Sequence, residues 1–190
     1  MAAAKSFTTW TVVGVVALIA LWSLTTYNAL VTSRENVDTS WRQVETQYQR
    51  RFDLIPSLVN TVRGAANFEQ STLTQVTEAR TKWLGAGGDR AQQVEAAQEA
   101  DSALARLLVS VESYPQLQAT QAFRDLMVQL EGTENRITVA RLDYNNEVRD
   151  YNLMVRRVPS NILAGIFGFD AEPGFEAAEG AEIAPEVQFD

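Results

Sequence analysis

The stretch YNALVTSRENVDTSWRQVETQYQRRFDLIPSLVNTVRG, residues Tyr27–Gly64, carries a seven-residue repeat of mostly apolar side chains. The two repeated positions hold Tyr27, Arg34, Trp41, Tyr48, Ile55 and Val62, and Leu30, Val37, Val44, Arg51, Leu58 and Ala65. A period of 3.5 sustained over this length predicts one long helix that packs against other helices. The repeat continues on both sides of Pro56, and Ile55 is a poor helix cap. We therefore expect Pro56 to kink one helix and to deprive the Phe52 carbonyl of its backbone donor.

The segment just before this repeat, TTWTVVGVVALIALWSLTTY (residues Thr8–Tyr27), contains no charged residue. It is long enough for a helix that crosses a bilayer, which needs about 20 residues. Trp10, Trp22 and Tyr27 lie near its ends, where amphipathic rings favour the headgroup zone. No small-residue cleavage pattern follows closely, so we predict an uncleaved signal-anchor embedded in the lipid bilayer. The flanking positive charges are nearly balanced, and the acidic tail favours an exported domain with a cytoplasmic amino terminus.

Three further helix starts follow residue 64. Each places Asn, Asp or Ser three residues before Gln, as in a capping box: Asn67 with Gln70, Asp89 with Gln92, and Ser113 with Gln116. The pattern predicts four helices, over residues 27–63, 68–83, 90–112 and 114–157. Short connections join antiparallel neighbours, so we expect an all-α, up-and-down four-helix bundle with long first and fourth helices and a mostly irregular acidic tail. The predicted domains are residues 1–27, 28–158 and 159–190.

Composition excludes several classes of chemistry. The 190-residue chain has neither Cys nor His, which removes thiolate chemistry, disulfides and histidine-based metal or acid–base sites. The net charge is −8, but residues 159–190 hold seven acidic and no basic residues, so the bundle is nearly neutral and no nucleic-acid partner is expected. No nucleophile motif, glycine-rich phosphate loop or metal-ligand spacing is visible. We therefore predict no catalytic residue, no metal and no cofactor.

The charged residues of the bundle allow two interpretations each. Arg50 and Arg51 could contact an acidic partner segment or an anionic headgroup. We favour an Arg51 whose stem covers the core while its guanidinium reaches a carboxylate on a neighbouring helix. The polar EGTENR segment, residues 131–136, is either a ligand-binding hinge or, as we favour, a layer in which Glu134 pairs with an arginine of the first helix. Three acids invite a metal-site interpretation, but a solvated face is favoured for Glu95, Glu99 and Asp101.

An apolar cluster follows the fourth helix, where the chain is expected to return to the bilayer. It lies in SNILAGIFGF and comprises Ile162, Leu163, Ile166, Phe167 and Phe169. The cluster is too short to cross a bilayer, so it could dip into the interface, fold under the bundle or dock on a neighbouring subunit. We favour packing against protein, because anionic lipid would repel the acidic segment that follows. Composition predicts disorder for residues 172–190.

Together these segments resemble the LemA family. The resemblance rests on the Tyr27–Gly64 stretch, on SYPQLQATQAFRDLMVQLEGTENRITVARLDYNNEVRDYN (residues 113–152) and on PSNILAGIFGF (residues 159–169), and it covers nearly the whole chain. It implies a bacterial membrane-anchored helical bundle, with a relative associated with magnetosome formation, and no established reaction. One departure is GAANFEQ, residues 64–70, where alanines replace the aromatic and charged residues that often follow this glycine in the family.

The residues and the resemblance lead to one expected function and one alternative. We expect a non-enzymatic single-pass protein of the bacterial inner membrane, with its bundle on the periplasmic side. It would act as a scaffold or assembly module that forms homo-oligomers or binds other membrane proteins. The alternative is a membrane-tethered sensor with a small ligand between the helices, near Arg51 and residues 131–136.

Overall fold

The computed structural model describes residues 2–64 and 68–175. Every regular element within these ranges is a helix, which confirms the all-α fold class. In chain order the helices are α1 (Ala2–Arg63), α2 (Gln70–Gly85), α3 (Arg90–Val111), α4 (Pro115–Gln118), α5 (Gln121–Arg156) and α6 (Ser160–Phe167).

Helix α1 contains both the apolar segment and the first helix of the core. Its 62 residues form one uninterrupted helix, and Pro56 lies inside it, as predicted. Arg80 on α2 donates its Nε–H to the carbonyl of Phe52, with a nitrogen-to-oxygen distance of 3.2 Å. Because proline has no N–H to offer that carbonyl, a side chain from the neighbouring helix replaces the missing backbone bond.

The part of α1 from Trp10 to Tyr27 is apolar and largely exposed. Among the described residues, one helix is long and apolar enough to cross a membrane, and none of its apolar window is buried. Trp10 is 75% exposed, and Trp22 and Tyr27 are each 37% exposed. Such a surface is compatible with a membrane anchor, since lipid would cover the side chains that protein does not.

Helix α5 runs antiparallel to α1. Arg51 on α1 meets Glu134 on α5, and ten residues earlier the ring of Trp41 lies 5.0 Å from that of Tyr144. Helix α2 pairs in turn with α3. The heptad positions of α1 that are buried in these interfaces are Leu30, Val37, Trp41, Val44, Tyr48, Arg51, Ile55, Leu58 and Val62. The repeat thus predicted the buried face of α1 between Leu30 and Val62, apart from Arg34, which is exposed; Tyr27 is exposed too, and Ala65 lies outside the described residues.

The predicted helix starts had three different outcomes. Asp89 is a true cap, because its carboxylate accepts from the backbone N–H of Gln92 at 3.2 Å. Ser113 is not a cap, so the single helix over residues 114–157 was wrong: the short α4 ends at Gln118, and the Thr120 hydroxyl then caps α5. The N-cap position of α4 is held by Tyr114, whose side chain makes no capping bond. The proposed cap at Asn67 lies outside the described residues.

After α5 the chain turns into α6, and residues 169–175 follow without regular secondary structure. Gly168 ends α6 with φ of +70°, a left-handed conformation that glycine adopts without strain. We call residues 169–175 the docked segment, because it lies along the bundle. The predicted disorder begins at residue 172, yet residues 172–175 are bound to the bundle by the contacts given below. The remaining residues, 176–190, lie outside the described part of the chain.

Candidate functional site

Arg51 is the centre of a charged cluster inside the bundle. Only 8% of the residue is exposed, because its stem occupies a position on the buried seam of α1. Its Nη1 lies 2.6 Å from Oδ1 of Asp101 on α3, and its Nη2 lies 2.8 Å from Oε2 of Glu134 on α5. The predicted reach of Arg51 to carboxylates on neighbouring helices is therefore confirmed, as is the pairing of Glu134 with an arginine of the first helix.

Arg141 on α5 adds a second guanidinium to this cluster. It donates to Asp101 and to the hydroxyl oxygen of Tyr48. The Tyr48 hydroxyl in turn lies 3.3 Å from Oδ2 of Asp101. We call Tyr48, Arg51, Asp101, Glu134 and Arg141 the charged cluster. It joins α1, α3 and α5 through a single carboxylate that two arginines share.

Burial controls the electrostatics of the charged cluster. It raises the pKa of Asp101 to about 6, with a further rise from the like charge of Glu134, while Arg51 opposes the shift. Burial also lowers the pKa of Arg141 to about 10. At neutral pH the cluster holds two cations and two anions. Such a balanced layer fixes the relative positions of the helices, because sliding one helix would strand a buried charge.

The interpretation of three acids as one solvated face was wrong for Asp101. Its side chain is 26% exposed and is enclosed by the two arginines. Glu95 and Glu99 do face solvent, and both approach Nζ of Lys82, at 3.5 and 2.5 Å. Asp101 and Glu95 lie on different faces of α3. The sequence alone does not show what the face of Asp101 contacts, because that contact depends on the position of α1. Within the described residues no group of three or more acids is arranged to hold a metal ion.

A cavity of about 370 Å³ adjoins the charged cluster between α3 and α5. Its polar wall is formed by Arg51, Asp101, Glu131 and Glu134, and its apolar wall by Leu104, Leu108, Met127 and Leu130 among others. Arg50 is not part of this site. It is exposed and lines a separate groove beside Trp83 and Gln93. The structure thus separates the two adjacent arginines that sequence reasoning treated together.

Two asparagines of α5 hold the docked segment by its backbone. Asn152 accepts from the N–H of Glu172 at 2.9 Å and donates to the carbonyl of the same residue at 2.8 Å. Asn145, seven residues earlier, makes the same pair of bonds to Phe175, both at 2.9 Å. Each amide thus satisfies both polar backbone groups of one residue, as a neighbouring strand would. Sequence reasoning missed these residues, because the positions of the asparagines in the chain do not show which distant backbone they bind.

Side chains of the docked segment bind the bundle as well. The ring of Phe175 stacks on Trp41 with centroids 6.0 Å apart, and the guanidinium of Arg141 lies 4.6 Å from the Phe175 ring centre. Arg90 at the start of α3 bridges Glu172, at 2.7 Å, and Asp38 on α1, at 2.6 Å. The docked segment therefore contacts α1, α3 and α5, and its Phe175 touches Arg141 of the charged cluster.

The predicted apolar cluster of α6 is divided between two environments. Leu163 and Phe169 are buried, which agrees with packing against the chain's own bundle. Ile162, Ile166 and Phe167 are exposed. The rings of Phe167 and Phe169 nevertheless both meet Tyr27 edge-on, with centroids 4.8 and 5.9 Å away. Helix α6 therefore lies beside α1 at the end of its apolar segment.

Comparison with known proteins decides the family. The model of the LemA family matches residues 40–189, which is most of the chain. The chain belongs to the LemA family. Two curated relatives, magnetosome proteins MamQ 1 and MamQ 2 of Paramagnetospirillum magneticum, are each 31% identical to it over 87% of this chain and 70% of their own length. Protein LemA of Metamycoplasma hominis is 23% identical over 72% of this chain and 63% of its own.

The region matched by the LemA model begins within α1 and extends beyond the docked segment. It therefore includes the whole charged cluster, the adjoining cavity and α6. The apolar segment Thr8–Tyr27 precedes the matched region. This LemA-family chain is thus a membrane-associated helical protein in which the family-matched part is joined to the apolar segment by the continuous helix α1.

Proposed function

We propose that this LemA-family protein is a non-enzymatic, single-pass scaffold or assembly module that associates with itself at the bacterial inner membrane. The observation that carries the proposal is the continuity of α1 from the apolar segment into the core. A continuous helix holds the bundle upright on the bilayer, and the part of α1 beyond Tyr27 extends about 54 Å at 1.5 Å per residue. The similarity to proteins named as magnetosome proteins supports a membrane-associated role.

The proposed orientation places the bundle on the periplasmic side. Lys5 precedes the apolar segment, and the segment after the bundle carries acidic residues without Lys or Arg. Acidic residues oppose translocation less than basic residues do. Fusion of a reporter active only in the periplasm to the carboxyl terminus tests this orientation. If a reporter that is active only in the cytoplasm is active at the same position, the bundle lies on the cytoplasmic side and the assignment is reversed.

The surface proposed for self-association lies along α5. Val139 and Leu142 are 59% and 61% exposed although both are large apolar residues. Val139 also lines a groove between α1 and α5 with a volume of about 750 Å³, beside Ala140 and Thr46. A second copy of the same chain would cover this surface in an isologous contact.

Native mass spectrometry of the full chain in mild detergent tests self-association. We expect a defined oligomer for the wild-type protein and its dissociation in Leu142→Glu, because a buried unpaired carboxylate opposes association. Val109→Glu on α3 is the matched control, since Val109 is 65% exposed and lies on another helix. A monomeric wild type would overturn self-association. An oligomer unchanged in Leu142→Glu would reject this surface.

Point variants are preferable to removal of residues after 158, which would also remove the buried Phe169 and Phe175.

The cavity beside the charged cluster favours a sensor as the second candidate function. Three carboxylates and one guanidinium line its polar side, so a ligand with a cationic head and an apolar body fits its chemistry. Thermal unfolding with arylalkyl amines such as phenethylamine tests this function. A rise in melting temperature that is retained in Arg42→Met and lost in Glu131→Gln would support it. The absence of any rise across the amines would reject this ligand class.

A further inference from the structure

We propose that α6 is a second membrane contact of this protein. In this proposal the exposed residues Ile162, Ile166 and Phe167 lie in the interfacial zone of the bilayer that α1 crosses. We call these three residues the α6 apolar face. The contact is independent of self-association, because it concerns lipid at the base of the bundle and not the surface of α5.

The register between α1 and α5 sets the height of α6. Arg51 meets Glu134, and Trp41 meets Tyr144. Ten residues back along α1 therefore correspond to ten residues forward along α5. Continued at the same spacing, this register brings the end of α5 at Arg156 level with residue 29. That level is two residues from the end of the apolar segment. The contacts of Tyr27 with Phe167 and Phe169 agree with this placement.

The composition of α6 suits a bilayer interface. Its sequence SNILAGIF has no charged residue. Leu163 and Ala164 face the bundle and are buried, whereas Ile162, Ile166 and Phe167 are 59%, 68% and 55% exposed. Water would contact all three large side chains if nothing covered them. A short helix with one face on protein and one apolar face outward matches the way interfacial helices bind membranes.

The charges around α6 also fit a lipid surface. Arg156 and Arg157 are exposed at the end of α5, directly before α6, where their guanidinium groups can reach lipid phosphates. On the other side of α6, Glu172 is paired with Arg90 at 2.7 Å, a guanidinium that it shares with Asp38. Within the described part of the chain, Asp170 and Glu172 are the acids that follow α6.

Site-directed spin labelling tests the proposal directly, because the chain has no native cysteine. The full chain would be reconstituted in nanodiscs of phosphatidylethanolamine and phosphatidylglycerol, with a single label at Ile162→Cys or Ile166→Cys. Two controls have the same exposure as Ile166, which is 68%: Leu18→Cys in the apolar segment and Val128→Cys on the upper part of α5. Collision of each label with oxygen, which concentrates in lipid, is compared with collision with a water-soluble nickel chelate.

We expect the labels at Ile162 and Ile166 to show an oxygen-to-nickel collision ratio severalfold above that at Val128. The ratio should approach the value for the label at Leu18. A ratio equal to that at Val128 at either site would place the α6 apolar face in water and overturn the proposal. A label shielded from both reagents would show that protein, such as a second copy of the chain, covers this face, and would overturn it equally.

Discussion

The substitution Arg51→Met removes the central cation of the charged cluster while it keeps most of the aliphatic stem that packs on the core. The side chains of Arg51 and Asp101 are only 10% and 26% exposed. Removal of one partner from a buried ion pair costs about 3–5 kcal/mol, because the remaining charge is left without compensation. Arg141 still contacts Asp101 in the variant, so we expect a loss near the lower limit, about 3 kcal/mol.

Thermal unfolding in detergent, followed by tryptophan fluorescence, measures this loss. In a chain of this size 1 kcal/mol shifts the melting temperature by about 2–4 °C, so Arg51→Met should unfold about 6–12 °C below the wild type. Arg42→Met is the matched control on the same helix. Arg42 pairs with Glu35 at 2.8 Å, but both side chains are more than 60% exposed, and the loss should stay below about 1 kcal/mol. Equal shifts in the two variants would refute the reasoning that burial makes the loss of one charged partner costly.

Three further predictions concern other parts of the cluster and its surroundings. Burial raises the pKa of Asp101 to about 6 from a reference of 3.8, so its carboxyl signal in NMR should titrate near pH 6. Because the folded-state pKa is the higher one, this group should favour folding increasingly as the pH falls from 6 to 3.8, and Asp101→Asn should abolish that contribution. Asn145→Ala should accelerate hydrogen exchange of the Phe175 amide about tenfold, which corresponds to a bond worth ~1.4 kcal/mol. Arg80→Met should cost about 1–3 kcal/mol in the wild type and less in a Pro56→Ala background, where residue 56 regains its N–H.

Each of these predictions has an outcome that contradicts it. A midpoint for Asp101 near pH 4 would show that its two arginines outweigh its burial. Asn146 is exposed and adjacent to Asn145, so Asn146→Ala is the control for hydrogen exchange, and equal rates in the two variants would contradict the role given to Asn145. For Arg80 and Pro56, additive losses in the double variant would show that the side chain does not replace the backbone bond. We expect a coupling of at least about 0.5 kcal/mol.

Much of α1 could be predicted because its signals are local. The heptad positions identified the buried face, and the uncharged run Thr8–Tyr27 identified the apolar helix. Register continuity correctly kept Pro56 inside one helix. The error at Ser113 was also local, since α4 starts after Tyr114 without a side-chain cap and Thr120 caps a further helix start. The number of helices was therefore harder to predict than their apolar faces.

The candidate site could be predicted only in part. A buried arginine on the seam requires a carboxylate partner, and this reasoning led to Glu134. It did not lead to Asp101, because that residue appears in an acidic stretch typical of a solvated surface. Nor did composition reveal the docked segment, whose backbone bonds to Asn145 and Asn152 join residues 30 and 20 positions apart, respectively.

The sequence by itself determined the all-α class, the apolar helix and the buried face of α1, because helical period and hydrophobicity are properties of residues close together in the chain. The tertiary structure decided which charges share the core. Asp101 became a partly buried partner of two arginines, and an acidic, glycine- and proline-containing segment became ordered, only when α1, α3 and α5 came together. Burial and pairing depend on what other helices contribute to a site, and such non-local contacts leave no periodic signal in a single sequence.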